Sequence, residues 1–206
     1  MSNLKLAGFL ARSSVNGPGI RAVIWVQGCP FNCDGCFNPD FLPFSPTPPV
    51  DVKDLAARIL ALDGIDGVTF SGGEPFTQAG PLAELGAILH SADLSVVTFT
   101  GFTWDQINAK NRPAWRRLLS VTDLLIAGPY VNEKHTGLHG RAGVPGKCII
   151  RLRNGQPDNG HAGNFTYPYS GDEIEFIIRP DGQMEVTGFP GSRLSEKLTS
   201  LSSGGL

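Results

Sequence analysis

Excess charge is what this chain has least of: seventeen lysines and arginines stand against nineteen aspartates and glutamates, a formal net charge of −2. That balance gives no broad field of the kind that holds nucleic acid or an anionic membrane. Long apolar runs are missing as well. The N-terminal MSNLKLAGFLARSSVNGPG is interrupted by Arg12 and by turn residues before it reaches the length of a secretory h-region or a bilayer span. The protein is therefore expected in the cytoplasm, with neither a membrane nor nucleic acid as partner. No internal repeat of fixed period occurs. A complete eightfold α/β barrel takes about 250 residues, more than the 206 present. Cysteine is sparse, four in all. Three of these crowd together, so a disulfide would leave an odd thiol over, and thiols stay reduced in the cytoplasm.

What the chain does have is punctuation and periodicity. Twenty-six glycines and sixteen prolines concentrate in connections such as NGPG (16–19), FSPTPP (44–49) and NGQPDNGHAGN (154–164). Between them, IRAVIWV (20–26) reads as a buried first strand, rich in β-branched and aromatic residues. VDVKDLAARILAL places Val52, Leu55, Ala56, Ile59 and Leu60 at helical spacing with Asp51 as cap. GVTF (67–70) is a second strand, QAGPLAELGAILHS a helix with Leu82, Leu85, Ile88 and Leu89 on one face, and LSVVTFT (94–100) a third strand. WDQINAKNRPAWRRLLS is helical with a break near Pro113. DLLIAG (123–128) and KCIIRL (147–152) are the fourth and fifth strands. Strands alternating with helices imply parallel βαβ units, whereas EIEFIIRPDGQMEVTGF alternates about Asp181-Gly182 and reads as an antiparallel hairpin. The fold class expected is α/β, with four or five strand-helix units in an abbreviated barrel open on one side and a C-terminal hairpin. The whole chain, 1–206, is expected to be one domain, with a core over about 15–153, a hairpin extension over about 172–190 and a flexible tail over 191–206.

Cys29, Cys33 and Cys36 lie in QGCPFNCDGCFNPD (27–40), directly after the 20–26 strand. That is the carboxyl end, where open α/β sheets and barrels place their chemistry. Spacings of four and three residues let one short loop wrap three thiolates round a compact centre. Structural zinc also takes thiolates but wants four protein ligands. No fourth cysteine or histidine stands nearby in sequence, although Cys148 and the histidines at 90, 135, 139 and 161 keep zinc open as remote ligands. A four-iron cluster ordinarily takes four cysteines. Three leave one iron with an open position, which belongs to a metal that binds something. Cys148, at the start of an apolar strand, reads as a buried, inert thiol. His135 and His139 are four apart, but glycines at 137 and 140 make a solvated loop the better reading than a metal-binding helix.

C-x3-C-x2-C after a strand resembles the radical S-adenosylmethionine (SAM) superfamily, and SGGEP (71–75), at the end of the next strand, resembles its second motif. VNGPGIR (15–21), QGCPFNCDGCFN (27–38) and TGF (100–102) are similar to stretches of glycyl-radical-enzyme activases, above all the anaerobic ribonucleotide reductase activating proteins, whose C-x-G-C-[FY]-N pattern accounts for Gly35. The likeness covers about the first 130 residues. It implies a radical SAM-type partial barrel with one [4Fe-4S] cluster held by Cys29, Cys33 and Cys36, SAM chelating the open iron through its amino and carboxylate groups. It further implies one-electron cleavage of SAM to methionine and a 5′-deoxyadenosyl radical, used to install a glycyl radical on a partner enzyme. An electron donor such as flavodoxin or ferredoxin goes with that chemistry.

The resemblance also distributes roles. Gly72 and Gly73 would let the backbone approach the methionine moiety, and Glu74 or neighbouring carbonyls would accept from its ammonium group. Gly35 and Phe37 would line the adenine side, Phe37 alternatively being a core anchor of its loop. The turn Asn16 to Gly19 is either beside the site or purely structural, and Thr100 and Gly101 face the mouth or merely cap a strand. Two departures from reductase activases stand out: Ala127 replaces an aspartate at the end of the fourth strand, and LHGRAGVPGK replaces an R-G-S-S-N-Q-like segment. They bear on the partner. The alternatives are a radical SAM enzyme acting on another peptide or a small molecule, and a non-catalytic iron–sulfur or zinc module.

Overall fold

The computed structural model describes residues 2–130, 147–158, 173–178, 181–182 and 184–188. The β-branched run after Pro18 does form a buried strand, but a longer one precedes it. β1 (Asn3–Ser13) pairs antiparallel with β2 (Arg21–Val26), Phe9 opposite Ile24 and Ser13 opposite Arg21. Its mixed burial gives the reason it was not read as a strand: most of β1 is half-exposed, so it lacks an unbroken apolar run. β3 (Pro49–Asp51) extends that edge.

From β2 onward the expected alternation holds. α1 (Val52–Leu60) is capped by Asp51, whose carboxylate accepts from the backbone N–H of Lys53 and Asp54. It buries Val52, Leu55, Ala56 and Ile59, but Leu60 turns outward at 44% exposure. β4 (Gly67–Gly72) runs parallel to β2, and α2 (Ala79–His90) sends Leu82, Leu85 and Leu89 into the core. Each of these leucines contributes roughly 1.5–3 kcal/mol by leaving water. β5 (Ser95–Thr100) follows in parallel. The expected helix break is real: α3 (Trp104–Lys110), opened by a Thr103–Gln106 capping box, ends at left-handed Asn111, and α4 (Pro113–Ser120) restarts with proline in its first turn. β6 (Leu124–Ala127) completes the parallel set.

The fifth expected strand departs from the βαβ rule. β7 (Cys148–Arg153) returns antiparallel to β6, with β8 (Gln156–Pro157) beyond it. Cys148 is exposed, not a buried core thiol: it opens β7 at the end that β8 does not cover, since β8 pairs only with Leu152 and Arg153. Among the described residues, eight strands form one mixed sheet in the order β3-β1-β2-β4-β5-β6-β7-β8, and β9 (Ile174–Ile178) pairs with β10 (Met184–Gly188) as a separate hairpin. Helical residues and one face of the sheet share the main core. The opposite face carries a smaller cluster of Val97, Phe99, Leu124 and Ile126 with Ile149. His135, His139, His161 and the tail 191–206 lie outside the described residues. Among the described residues no helix is long and apolar enough to cross a membrane.

The NGPG turn connects β1 to β2 and therefore sits at the N-terminal ends of the parallel strands. The six residues of β2 at about 3.3 Å each put roughly 20 Å between it and the cysteine loop. Its partner there is Arg21, fully buried, whose guanidinium donates to Pro18 O, Val68 O, Ser95 O, Thr69 Oγ1 and Ser95 Oγ. One side chain thus ties together the starts of β2, β4 and β5, and the turn is structural.

Candidate metal centre

The cysteine loop leaves β2 at Val26 and is closed by its own return. Gly28 N–H donates to Phe41 O and Cys29 N–H to Leu42 O, both at 2.9 Å. Gln27, 9% exposed, donates its amide to Pro43 O (2.7 Å) and Asp40 O (3.3 Å). The short helical turn Pro39–Phe41, begun by proline, makes that reversal. Within the loop Cys36 N–H reaches Cys33 O, and Gly35 adopts φ +70°, the left-handed conformation that glycine takes without strain. All three thiols are half-buried. Burial pushes Cys29 up to about 11, opposed by a hydrogen bond from the Phe31 backbone and reinforced by Glu74, Cys33 and Cys36. Cys36 is raised by burial and by Cys33, against a hydrogen bond from Asn38.

The donor set can be tested against the two groups that thiolates suggest. Among the described residues no three His, Cys, Asp or Glu side chains come together as a site for a single ion. A tetrahedral ion with metal–sulfur bonds of about 2.3 Å needs its sulfurs that close. The three thiols nonetheless lie half-buried on one eight-residue stretch, Cys29 to Cys36. Such a trio fits a polynuclear cluster. Among the remote zinc ligands, His90 pairs instead with Asp123 (2.8 Å) at the N-terminal end of β6, far from the loop.

SGGEP closes against the cysteine loop through its backbone. Gly72 has φ +101°, and a Cβ there would stand 2.5 Å from Val26 N, while one on Gly73 would collide with the Gly28 backbone. Both glycines are required by the contact between two chain segments, whatever binds above them. Glu74, 1% exposed, does not present its carboxylate to open space. One oxygen accepts from Phe76 N–H and Thr100 Oγ (2.9 Å each), and the other from Gly101 N–H (2.8 Å). Its own N–H donates to Gly28 O at 2.9 Å. Burial pushes its carboxyl up, while these donors and Lys147 oppose the shift. Of the two ammonium acceptors considered from sequence, the carboxylate already accepts three hydrogen bonds from the chain itself. Phe37, 44% exposed, is not a core anchor.

Lys147 was not singled out in the sequence, where it is one lysine ahead of an apolar strand. Its ammonium donates to Thr100 O (2.8 Å) and Gly128 O (2.6 Å) at the ends of β5 and β6. Removal from water lowers it to about 8, against the opposing charges of Glu74, Cys33 and Cys29. Glu74 and Lys147 together form a belt across the mouth, from the loop after β2 through those after β4 and β5 to the one after β6. Of the two readings weighed for Thr100, these bonds are those of a strand cap: its hydroxyl donates to Glu74 and accepts from Phe102 N–H.

A three-thiol loop on a β/α sheet, backed by SGGEP, defines an iron–sulfur class of protein. Residues 15–142 match the family described as a 4Fe-4S single cluster domain, and the chain belongs to that family. It is 30% identical over 142 residues to the pyruvate formate-lyase-activating enzyme of Listeria monocytogenes serovar 1/2a, covering 64% of this chain and 56% of that protein. To the enzyme of the same name from Staphylococcus aureus (strain USA300) it is 31% identical over 136 residues, 62% of this chain and 54% of that one. The chain spans about half the length of the curated relatives it matches. Among solved structures, QueE from Escherichia coli aligns with a TM-score of 0.37 and 19% identity over 49% of this chain and 53% of the other. The names of the curated relatives agree with the resemblance to activases; they specify pyruvate formate-lyase, not ribonucleotide reductase.

Proposed function

We propose that this chain is a radical SAM enzyme that generates a glycyl radical on a partner protein. Its domain is a single one over 1–206, with the core at about 15–153, the hairpin extension at about 172–190 and a tail at 191–206. The mixed sheet, helices on one face and a second cluster on the other, is an abbreviated barrel open on one side. Cys29, Cys33 and Cys36 hold a [4Fe-4S] cluster and leave one iron for SAM. When bound, the cluster supplies the electron that splits a carbon–sulfur bond of SAM, giving methionine and a 5′-deoxyadenosyl radical that takes a hydrogen atom from a glycine.

The chain's own residues bind and orient. The backbone of Gly72 and Gly73 receives the methionine ammonium through carbonyl oxygens. Glu74 acts through the loops it clamps and not by direct contact. Gly35 and the exposed ring of Phe37 cover the adenine. Lys147 holds the ends of β5 and β6 together beside the thiolates and places a cation where negative charge accumulates.

The observation that carries this reading is the cysteine loop closed directly onto SGGEP, with Gly73 N–H bonded to Val26 O and Glu74 N–H to Gly28 O. Anaerobically reconstituted protein should hold about four irons and, with SAM and dithionite, release 5′-deoxyadenosine and methionine. Electron paramagnetic resonance after mixing with a glycyl-radical enzyme should then show a glycine-centred doublet. Replacing any one of the three cysteines with Ala should abolish both signals and lower iron content. No cleavage by iron-replete protein rules the reading out, whereas cleavage without the doublet moves the substrate to another peptide or a small molecule.

A further inference from the structure

Although the chain as a whole is nearly neutral, positive charge collects in one short stretch. KNRPAWRR (110–117) holds Lys110, Arg112, Arg116 and Arg117, and no acidic residue lies between Asp105 and Asp123. All four cations are exposed. They occupy the turn from α3 to α4 and the start of α4, with Arg116 one helical turn beyond Arg112.

Against this stretch lies a cleft of about 560 Å³, floored by Phe76, Phe102 and Trp115 and rimmed by Lys110 and Arg112. The Arg112 guanidinium stands 5.1 Å over the Trp115 ring and the Lys110 ammonium 6.0 Å over that of Phe102. One part of its wall is residues 77–81 at the start of α2, and another is Pro30 and Phe31, which belong to the cysteine loop between Cys29 and Cys33. Phe31 meets Phe102 edge-on at 4.8 Å, and Phe102 meets Trp115 at 4.7 Å. Packed rings therefore run without interruption from the thiol loop to a cationic surface.

The side on which this happens matters. Phe76 and Trp115 belong to the core shared with the helices, not to the cluster on the other face of the sheet. A protein seated on the cleft would lie on the helical side of the cysteine loop and leave the opposite face free for a substrate. An apolar floor whose cationic rim makes no ion pair among the described residues suits an acidic partner, since complementary charge steers association and fixes orientation.

We infer that the α3–α4 turn, through Lys110, Arg112 and Arg116, is the docking face for an acidic one-electron carrier protein, whose electron enters the centre past Phe31. This rests on the function proposed above, because that chemistry consumes one electron per SAM cleaved. In the step itself the carrier is oxidised by one electron and the cluster reduced by one, with no bond made or broken.

The test uses reconstituted full-length protein and flavodoxin hydroquinone as the acidic carrier, with stopped-flow bleaching of the cluster absorbance as readout. In the double variant Lys110→Glu with Arg112→Glu, carrier-driven bleaching should slow by about tenfold or more and lose most of its salt dependence. Bleaching by dithionite, which needs no docking, should stay as in the wild type. The charge-conserving pair Lys110→Arg with Arg112→Lys should keep the carrier-driven rate. A neutral pair, Lys110→Gln with Arg112→Gln, gives an intermediate rate and serves if the acidic pair fails to fold. An unchanged carrier-driven rate in the acidic or neutral pair overturns the docking face. So does normal carrier-driven bleaching with impaired activation of a protein substrate, which would give the face to that substrate instead. A wild-type protein that dithionite cannot bleach overturns the cluster assignment itself, and the docking face with it.

Discussion

At the scale of the residue, Glu74 joins several chain segments at once. Three donors from two different loops converge on its carboxylate, and its exclusion from water means that any donor left over cannot turn to solvent. Glu74→Gln keeps the shape but sets an NH₂ group against the N–H of either Gly101 or Phe76. It should cost about 2 kcal/mol, read as a fall of roughly 5 °C in melting temperature, while iron still binds at low temperature. Gly73→Ala should be worse for the centre, since the added methyl pushes SGGEP away from Gly28; the check is iron content after reconstitution, expected to drop with little loss of helix signal. The motif was legible in the sequence, but the division of labour inside it was not. Spacing marks where glycines and a carboxylate are needed without telling whether a ligand or a neighbouring strand needs them. Lys147 was illegible for a related reason: only the return of β7 beside β6 brings it to Thr100 and Gly128.

At the scale of the element, the parallel strands depend on a cross-tie at the end away from the thiols. Arg21 offers its guanidinium to acceptors on the 16–19 turn, β4 and β5, and a Cβ on Gly67 would strike it. Arg21→Leu should destabilise the protein by at least about 3 kcal/mol, because several buried carbonyls lose their donor at once. Chemical denaturation measures this, and a loss below about 1 kcal/mol would contradict the role given to the side chain. The elements themselves were readable wherever burial is one-sided or complete: β2, β4, β5, α1 and α2 follow directly from apolar periodicity. β1 escaped because its residues are mostly half-buried, and the antiparallel β7 because nothing in KCIIRL distinguishes a return from a crossover. The exposure of Cys148 follows from that return.

At the scale of the whole molecule, the hairpin faces the reverse of the usual way. Phe176 and Ile178 share a face with their partners Val186 and Met184, and Phe176, Ile178 and Met184 are 52%, 75% and 60% exposed. The polar face meets the body instead. Glu175 accepts from Ser13 Oγ and from the N–H and Oγ of Ser14, and Thr187 Oγ accepts from the Asn16 amide, which is itself buried. Contacts of this kind hold orientation more than they add stability. Glu175→Ala should therefore expose the hairpin to limited proteolysis near 173–188 while shifting the main unfolding transition by less than about 1 kcal/mol; a large shift would show that the hairpin belongs to the core. Strand alternation about Asp181-Gly182 revealed the hairpin in the sequence, whereas its orientation emerges only from the partners it finds in Ser13, Ser14 and Asn16. The belt across the mouth has the opposite character. Because Glu74 and Lys147 lock four strand ends to one another through the chain's own hydrogen bonds, the ordering of the mouth is met during folding. On the function proposed above, a cosubstrate would meet a preorganised seat, so its enthalpy and entropy of association should resemble those of a preformed cavity and not those of a closing hand.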